Sequence, residues 1–264
     1  ITPYVDGASK MEALLGDIAA AHDHIHLQYY ILNDDTTGLR LRNALMAKAR
    51  EGVEIRILYD DVGSSSVHKR FFEEMRRAGI EVRPFLHVKF PLFTSKVNYR
   101  NHRKIAVIDG RTGYIGGMNI ADYYINGLPK IGTWRDMHMR IEGDAVNDLQ
   151  EIFLTIWNKE TKQNIGGEIY FPQHEDSTNI VVAIVDRTPK KNSRMLSHAY
   201  AMSIYSAQKN VHIVNPYFVP TSSIKKALNR TIDRGVNVTI MVSSASDIPF
   251  TPDAALYKLH KLMK

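Results

Sequence analysis

The segment Asn101-His102-Arg103-Lys104-Ile105-Ala106-Val107-Ile108-Asp109-Gly110 sets a histidine, a lysine and an aspartate in the spacing H-x-K-x4-D, and Gly116-Gly117-Met118-Asn119 follows it. These residue types suit phosphoryl chemistry. A neutral imidazole can attack phosphorus or carry a proton near pH 7. A lysine ammonium beside it neutralises phosphate oxygens and the charge that builds in the transition state. Asn119 offers an amide donor to the same oxygens, and Gly116 and Gly117 would let backbone come close to a phosphate. His102, Lys104 and Asp109 are therefore the candidate catalytic residues, with Gly117 and Asn119 as candidate substrate-binding residues. This chemistry needs no metal and no cofactor, and the chain has neither a P-loop nor a carboxylate cage for magnesium. The bland alternative is a surface strand with a stray histidine. The Gly-Gly-x-Asn tail at its fixed spacing argues against it.

These residues must be positioned by a strand. Lys104 to Asp109 is apolar enough to be buried and ends in an Asp-Gly turn. Residues two apart on a strand share a face. His102 and Lys104 then project together, while Asp109 points the other way and ties down the turn.

The surrounding pattern alternates strands and helices. Residues 25–31 read as a strand, and Thr36 and Thr37 as caps of a helix with Leu41, Ala44, Leu45 and Ala49 inward and Gly52 as its stop. Residues 53–59 read as a second strand, and Phe71 to Ala78 as a short helix ended by Gly79. Strand–helix–strand order implies an α/β fold with a largely parallel sheet. The pattern then returns. Residues 211–215 mirror 25–29, the stretch from Thr221 to Arg234 mirrors the capped helix, and 235–241 mirror 52–58, this last pair at an offset of 183 residues. Two pseudo-symmetric repeats are expected, 1–170 and an incomplete 171–264, joined near Gly166 to Asp176. Coincidence between two generic strand–helix–strand units is the alternative.

Composition narrows the class. The 264 residues are 44% hydrophobic and 23% charged, as in ordinary globular proteins, and cysteine is absent. That excludes a disulfide scaffold and cysteine-ligated zinc. A net charge of +6 favours anionic partners: phosphate esters, nucleic acid or an anionic membrane face. The longest apolar runs, such as 180–185, are far below the roughly 18 residues that span a bilayer. The chain opens on Ile1 rather than Met, so it is expected to be a fragment whose native anchor lies upstream.

The chain resembles the phospholipase D superfamily on His102, Lys104, Asp109, Gly117 and Asn119. It resembles the bacterial cardiolipin synthases more closely, through residues 25–31, 101–104, 116–120, Trp134-Arg135-Asp136-Met137-His138, Ile141-Glu142-Gly143 and Asn215-Pro216-Tyr217-Phe218-Val219-Pro220. The resemblance implies two motifs meeting at a pseudo-two-fold axis. One histidine attacks phosphorus to give a phosphohistidine. The other protonates the leaving alcohol and then deprotonates the incoming one. Phosphatidylglycerol would be both donor and acceptor, with glycerol leaving. The expected partners are this anionic phospholipid and a membrane surface, at the cytoplasmic face of the cell membrane, rather than nucleic acid. Oligomeric state is left open. Asp136 stands where related enzymes carry a carboxylate that orients the histidine, and an ion pair with Arg135 or Arg140 is its alternative role. At the repeat offset the partner of His102 would fall at position 285, beyond Lys264, so this chain alone is expected to be inactive.

Other features are weaker. His22, His24 and His26 alternate, which fits a metal site or, better, a strand entering the sheet. The apolar and basic stretch from Phe85 to Phe93 can meet lipid or run as a buried connection. Tyr29, Tyr30 and Tyr217 sit at strand ends, where they line a pocket or fill the core. Two other functions compete: a phosphodiesterase or nuclease of the same superfamily, and a non-catalytic membrane-binding scaffold.

Overall fold

A computed structural model describes residues 1–86, 100–174, 180–187, 194–244, 246–248 and 250–263. They divide into two compact units, 1–184 and 185–264. The first holds β1 (Thr2–Tyr4), α1 (Gly7–Ala19), β2 (His24–Tyr29), α2 (Thr36–Arg50), β3 (Glu54–Asp60), α3 (Lys69–Arg77), β4 (Glu81–Phe85), β5 (Ile105–Ile108), β6 (Thr112–Gly116), α4 (Tyr123–Asn126), β7 (His138–Glu142) and α5 (Ala145–Thr161). The second holds α6 (Met195–Ser206), β8 (Asn210–Val214), α7 (Ser222–Asp233), β9 (Asn237–Met241) and α8 (Thr251–Leu262). The expected stretch from Phe85 to Phe93 lies mostly outside the described residues, beyond Leu86.

In the first unit the sheet runs β1-β7-β6-β5-β2-β3-β4. β2, β3 and β4 pair in parallel, as the strand–helix–strand pattern predicts. β5, β6, β7 and β1 continue the sheet through antiparallel pairs, so β5 and β7 oppose the direction shared by the rest. The α/β expectation holds, and the motif strand β5 lies beside β2 at the centre.

The alternation of β2 builds both faces. Ile25, Leu27 and Tyr29 pack with Leu14 and Ile18 of α1 and Leu41 and Leu45 of α2. His24, His26 and Gln28 point to the opposite face, where the His26 ring stacks on Phe153 of α5 at 4.4 Å and its Nδ1 lies 2.7 Å from the Gln150 amide. His24 and His26 are thus core residues. Burial pushes the pKa of each ring below the usual histidine value. Among the described residues no group of His, Asp and Glu is arranged to hold a metal.

Local chemistry fixes the helix ends. The cap of α2 is Asp35, one residue before the expected threonines, and it accepts a hydrogen bond from Gly38 N at 3.1 Å. Thr37 instead bonds Asp122 through both its N–H and its hydroxyl. Gly52 ends the helix at φ 93°, a conformation that costs glycine little.

The compact units divide at 184, beyond the expected joint of the repeats near Gly166 to Asp176. Tyr170 is buried in the α5 core and its hydroxyl donates to Glu54 at 2.6 Å. Pro172 packs against Gly110. These contacts hold the stretch beyond 170 to the first unit. In the second unit β8 and β9 pair in parallel and β8-α7-β9-α8 repeats the order β2-α2-β3-α3. Val211, Leu228 and Val236 form its core, while Val214 and Met241, on the other face of the two strands, are 75% and 62% exposed.

Asp109 closes β5 in the left-handed region at φ 53°. Its carboxylate accepts from His22 N at 2.8 Å, Asp23 N at 2.9 Å and His24 N at 3.0 Å. It therefore ties the entry of β2 to the exit of β5, as its position on the strand predicts. Hydrogen bonds to a charged group contribute about 1.5–3 kcal/mol each before solvent exposure weakens them. Asp109→Ala should lower the stability of the first unit by about 2–3 kcal/mol, because it loses the tie and strains the turn. Asp109→Asn, which tolerates the left-handed backbone and keeps one carbonyl acceptor, should cost clearly less. Denaturant midpoints of the two variants provide the comparison, and equal losses would show that the tie contributes nothing.

Candidate active site

The motif strand enters the sheet at the end where β3 finishes, and a buried carboxylate sets its start. Asp60, the last residue of β3, accepts from Asn101 N at 2.9 Å and from Val62 N and Gly63 N at 3.0 and 3.1 Å. The Arg100 guanidinium stands 3.7 Å from the same carboxylate. His102 is thus held one residue from a fixed point at the surface, with its ring partly shielded by Tyr30.

Tyr30 backs that ring at 4.8 Å between centroids. Its own backbone is braced by the loop after β3, where Ser64 Oγ donates to Tyr30 O at 3.3 Å and Gly63 passes too close for a side chain. Lys104 is 3% exposed beneath the pair. Its Nζ donates to His102 O at 2.7 Å and lies 5.4 Å from the Tyr30 ring centre. His102, Lys104 and Tyr30 therefore form one cluster, with Asp109 at the far end of β5.

The third side of the cluster comes from the segment before β7. Gly116 of β6 pairs with His138, and Gly117 N donates to Met137 O at 2.8 Å. A Cβ on Gly116 would stand 2.5 Å from His138 Cα, and one on Gly117 would stand 2.0 Å from an Asp136 carboxylate oxygen. The two glycines make room for Asp136 and His138. This differs from the expectation that they bring backbone to the ligand. The Asp136 carboxylate is electrostatically coupled to Lys104, and its hydrogen bond is taken from its neighbour Met137 N at 2.7 Å. No hydrogen bond joins it to the His102 ring, so its place is beside the lysine.

Asn119 also differs from expectation. Its Oδ1 accepts from Ile31 N at 3.0 Å and its Nδ2 donates to the Tyr124 hydroxyl at 2.8 Å, with the side chain buried. It fastens the exit of β2 to α4 rather than pointing an open amide at the cluster. Tyr29 is core, fully buried in the first unit.

Electrostatics sets the resting charges. Burial and the neighbouring Lys104 ammonium push the His102 pKa down to about 4, against the pull of Asp60, so the imidazole is neutral at pH 7. Burial pushes Lys104 down to about 7, opposed by Asp136 and Asp60. Burial raises the Asp136 carboxyl, which the Met137 N–H and then Lys104 hold down. His138 is 0% exposed with neither ring nitrogen bonded, and burial first, then Lys10 and Lys104, hold it well below the usual value. Asp60, Tyr30 and His138 complete the site, and the motif spacing alone did not reveal Asp60. His138 did carry a signal, since it closes the Trp134-Arg135-Asp136-Met137-His138 segment on which the resemblance rests.

If Gly117 exists to seat Asp136, Gly117→Ala should destabilise the first unit by about 1–3 kcal/mol through overpacking. The pair Gly117→Ala, Asp136→Ala should then recover most of that loss, because the colliding atoms are gone. Denaturant unfolding of both single variants and the double variant measures the coupling, and strict additivity would remove the steric assignment.

Comparison with known proteins identifies the family. The family described as cardiolipin synthase, PLD-like domain matches residues 14–164 and 200–264. The major cardiolipin synthase ClsA of Bacillus subtilis (strain 168) is 40% identical over 261 residues, which is 98% of this chain and 54% of the relative. A cardiolipin synthase of Oceanobacillus iheyensis is 40% identical over 253 residues, 96% of this chain and 53% of the relative. The chain thus spans about half the length of the curated relatives it matches. Among solved structures, a phosphatidylserine synthase of Haemophilus influenzae Rd KW20 superposes with a TM-score of 0.67 at 14% identity, over 98% of this chain and 66% of that one, a likeness of fold. With both stretches of the family matched and relatives about 40% identical over nearly its whole length, the chain belongs to the cardiolipin synthase, phospholipase D-like domain family.

Proposed function

We propose that this chain carries one catalytic half of a cardiolipin synthase-type phosphatidyltransferase. One observation carries the reading: a neutral, exposed imidazole stands directly over a buried lysine that donates to its backbone. His102 attacks the phosphorus of phosphatidylglycerol, forming an N–P bond as the P–O bond to glycerol breaks. The departing glycerol oxygen takes a proton from a second histidine, which the longer relatives' remaining length would supply. That histidine then accepts the proton of the hydroxyl of a second phosphatidylglycerol, whose oxygen displaces His102 and yields cardiolipin. Lys104 balances charge on the phosphate oxygens. Asp136 holds a counter-charge beside Lys104, which keeps the ammonium protonated to a higher pH. No cofactor enters this scheme.

The membrane belongs to the same proposal. Among the described residues no helix is long and apolar enough to cross a bilayer. The net charge of +6 favours approach to an anionic lipid surface, and the cytoplasmic face of the cell membrane is the proposed location.

The test is turnover of phosphatidylglycerol in detergent by a form extended to the length of the curated relatives. Cardiolipin should form, and His102→Ala should reduce the rate by at least about 10²-fold. Cleavage of DNA without lipid turnover would replace this reading with a nuclease.

The pH dependence follows from the same groups. kcat/KM should rise as His102 loses its proton, around pH 4, and fall as Lys104 discharges, around pH 7. Lys104→Arg, which stays charged, should remove the alkaline fall even where it lowers the plateau. A fall left in place would assign that limb to another group.

A further inference from the structure

Behind Lys104 lies a second buried lysine that the scheme above does not use. Lys10, on α1, is 1% exposed. Its Nζ donates to the Tyr29 hydroxyl at 3.2 Å and stands 4.9 Å from the centre of that ring. The register explains the neighbourhood. Gln28 pairs with Ile105, Ile105 with Ile115 and Gly116 with His138. One step along, Tyr29, Lys104, Gly116 and His138 form a single row across β2, β5, β6 and β7, with an empty place at the glycine. Lys10 reaches this row from above.

No residue of the row itself is acidic. His138 is neutral, fully buried and bonded at neither nitrogen, and both Lys10 and Lys104 act on it electrostatically. Lys104 has Asp136 and Asp60 for company, but burial alone governs Lys10. The charged groups of the packed elements are committed elsewhere. On α1, Asp17 holds Arg140 and Tyr114, and Glu12 holds Arg40 of α2 at the exposed rim. Tyr124 of α4 is bonded to Asn119, and Tyr4 of β1 pairs with His138 along the backbone. A fully buried ammonium with only a neutral hydroxyl for a partner is costly, and an anion brought nearby removes that cost.

We propose that Lys10 is a positioning residue of the phosphate site, a second cation that takes up a proton when an anionic tetrahedral group occupies the cluster and acts on it through the unbonded His138. The proposal rests on the phosphate-site reading above and adds to it a source of charge that the motif does not contain. Near pH 7 each of the two lysines carries its proton only part of the time. When the anion arrives, Lys10 and Lys104 both become more fully charged, so the protein's charge rises with the ligand's.

Sulfate is a suitable probe, being a tetrahedral dianion with no titration of its own near neutrality. Calorimetry of sulfate binding at pH 7.5, in buffers of different ionisation enthalpy, counts the protons taken up. The unaltered chain should take up protons on binding, and Lys10→Met should reduce the uptake by about half, since one of two titrating lysines is gone. Binding with unchanged uptake in Lys10→Met overturns the role of Lys10 and leaves the phosphate site standing. Failure of the unaltered chain to bind sulfate at millimolar concentration overturns both. Should Lys10→Met not fold, the unaltered chain labelled with ¹³C at lysine Cε gives the same answer. Two lysine signals should titrate near neutrality, and sulfate should move both midpoints to higher pH. A single moving signal overturns the proposal.

Discussion

The site depends on a place in the sheet where two consecutive residues have no side chains. Gly116 and Gly117 leave the central strand of three bare, so groups from β5 and from the segment before β7 meet across it. With any larger residue there, Asp136 would lose its seat and His138 would be pushed off its strand. Lys104 would then face a side chain rather than a carboxylate. The histidine-and-lysine motif is therefore half of the arrangement, and the glycine pair is what gives the lysine its environment. A strand gains no packing from glycine and pays for its backbone freedom, which the surrounding core of Tyr29, Tyr114 and Ile120 offsets.

The two ends of β5 do different work. At one end, buried bases are left short of acids, and a neutral imidazole reaches solvent. At the other, Asp109 spends its whole carboxylate on three backbone N–H groups, and His24 and His26 fill a layer beneath α5. From residue 102 to 109 an extended chain covers about 20 Å. The motif is a signature of one strand and of both its ends, only one of which touches the chemistry.

Much of this was readable in the residues. Alternation showed that His102 and Lys104 share a face and Asp109 does not, because strand geometry leaves no other choice. Helix starts and glycine stops were legible to within a residue or two, since capping is local; Asp35 took the cap from Thr36 because Thr37 was needed by Asp122. What stayed hidden is what depends on distant pairing. Nothing near Asp60 announces that it will anchor Asn101, and nothing in α1 shows that Lys10 will be buried. Asn119 was read as an open donor because its partners, Ile31 N and the Tyr124 hydroxyl, meet it only in the folded chain. The stretch near 170 is similar. Its polar, glycine-rich composition reads as a linker, yet Tyr170 lies in a core.

The second unit has a different physical character. Parallel strands are normally covered on both faces, and β8 and β9 have a packed face and a bare one ending in Val214 and Met241. Two strands are also few for independent stability. Val214 and Met241 give residues 185–264 an apolar surface of the kind on which proteins self-associate. Concentration, salt and detergent act on that surface, so it bears directly on the conditions that keep the chain dispersed.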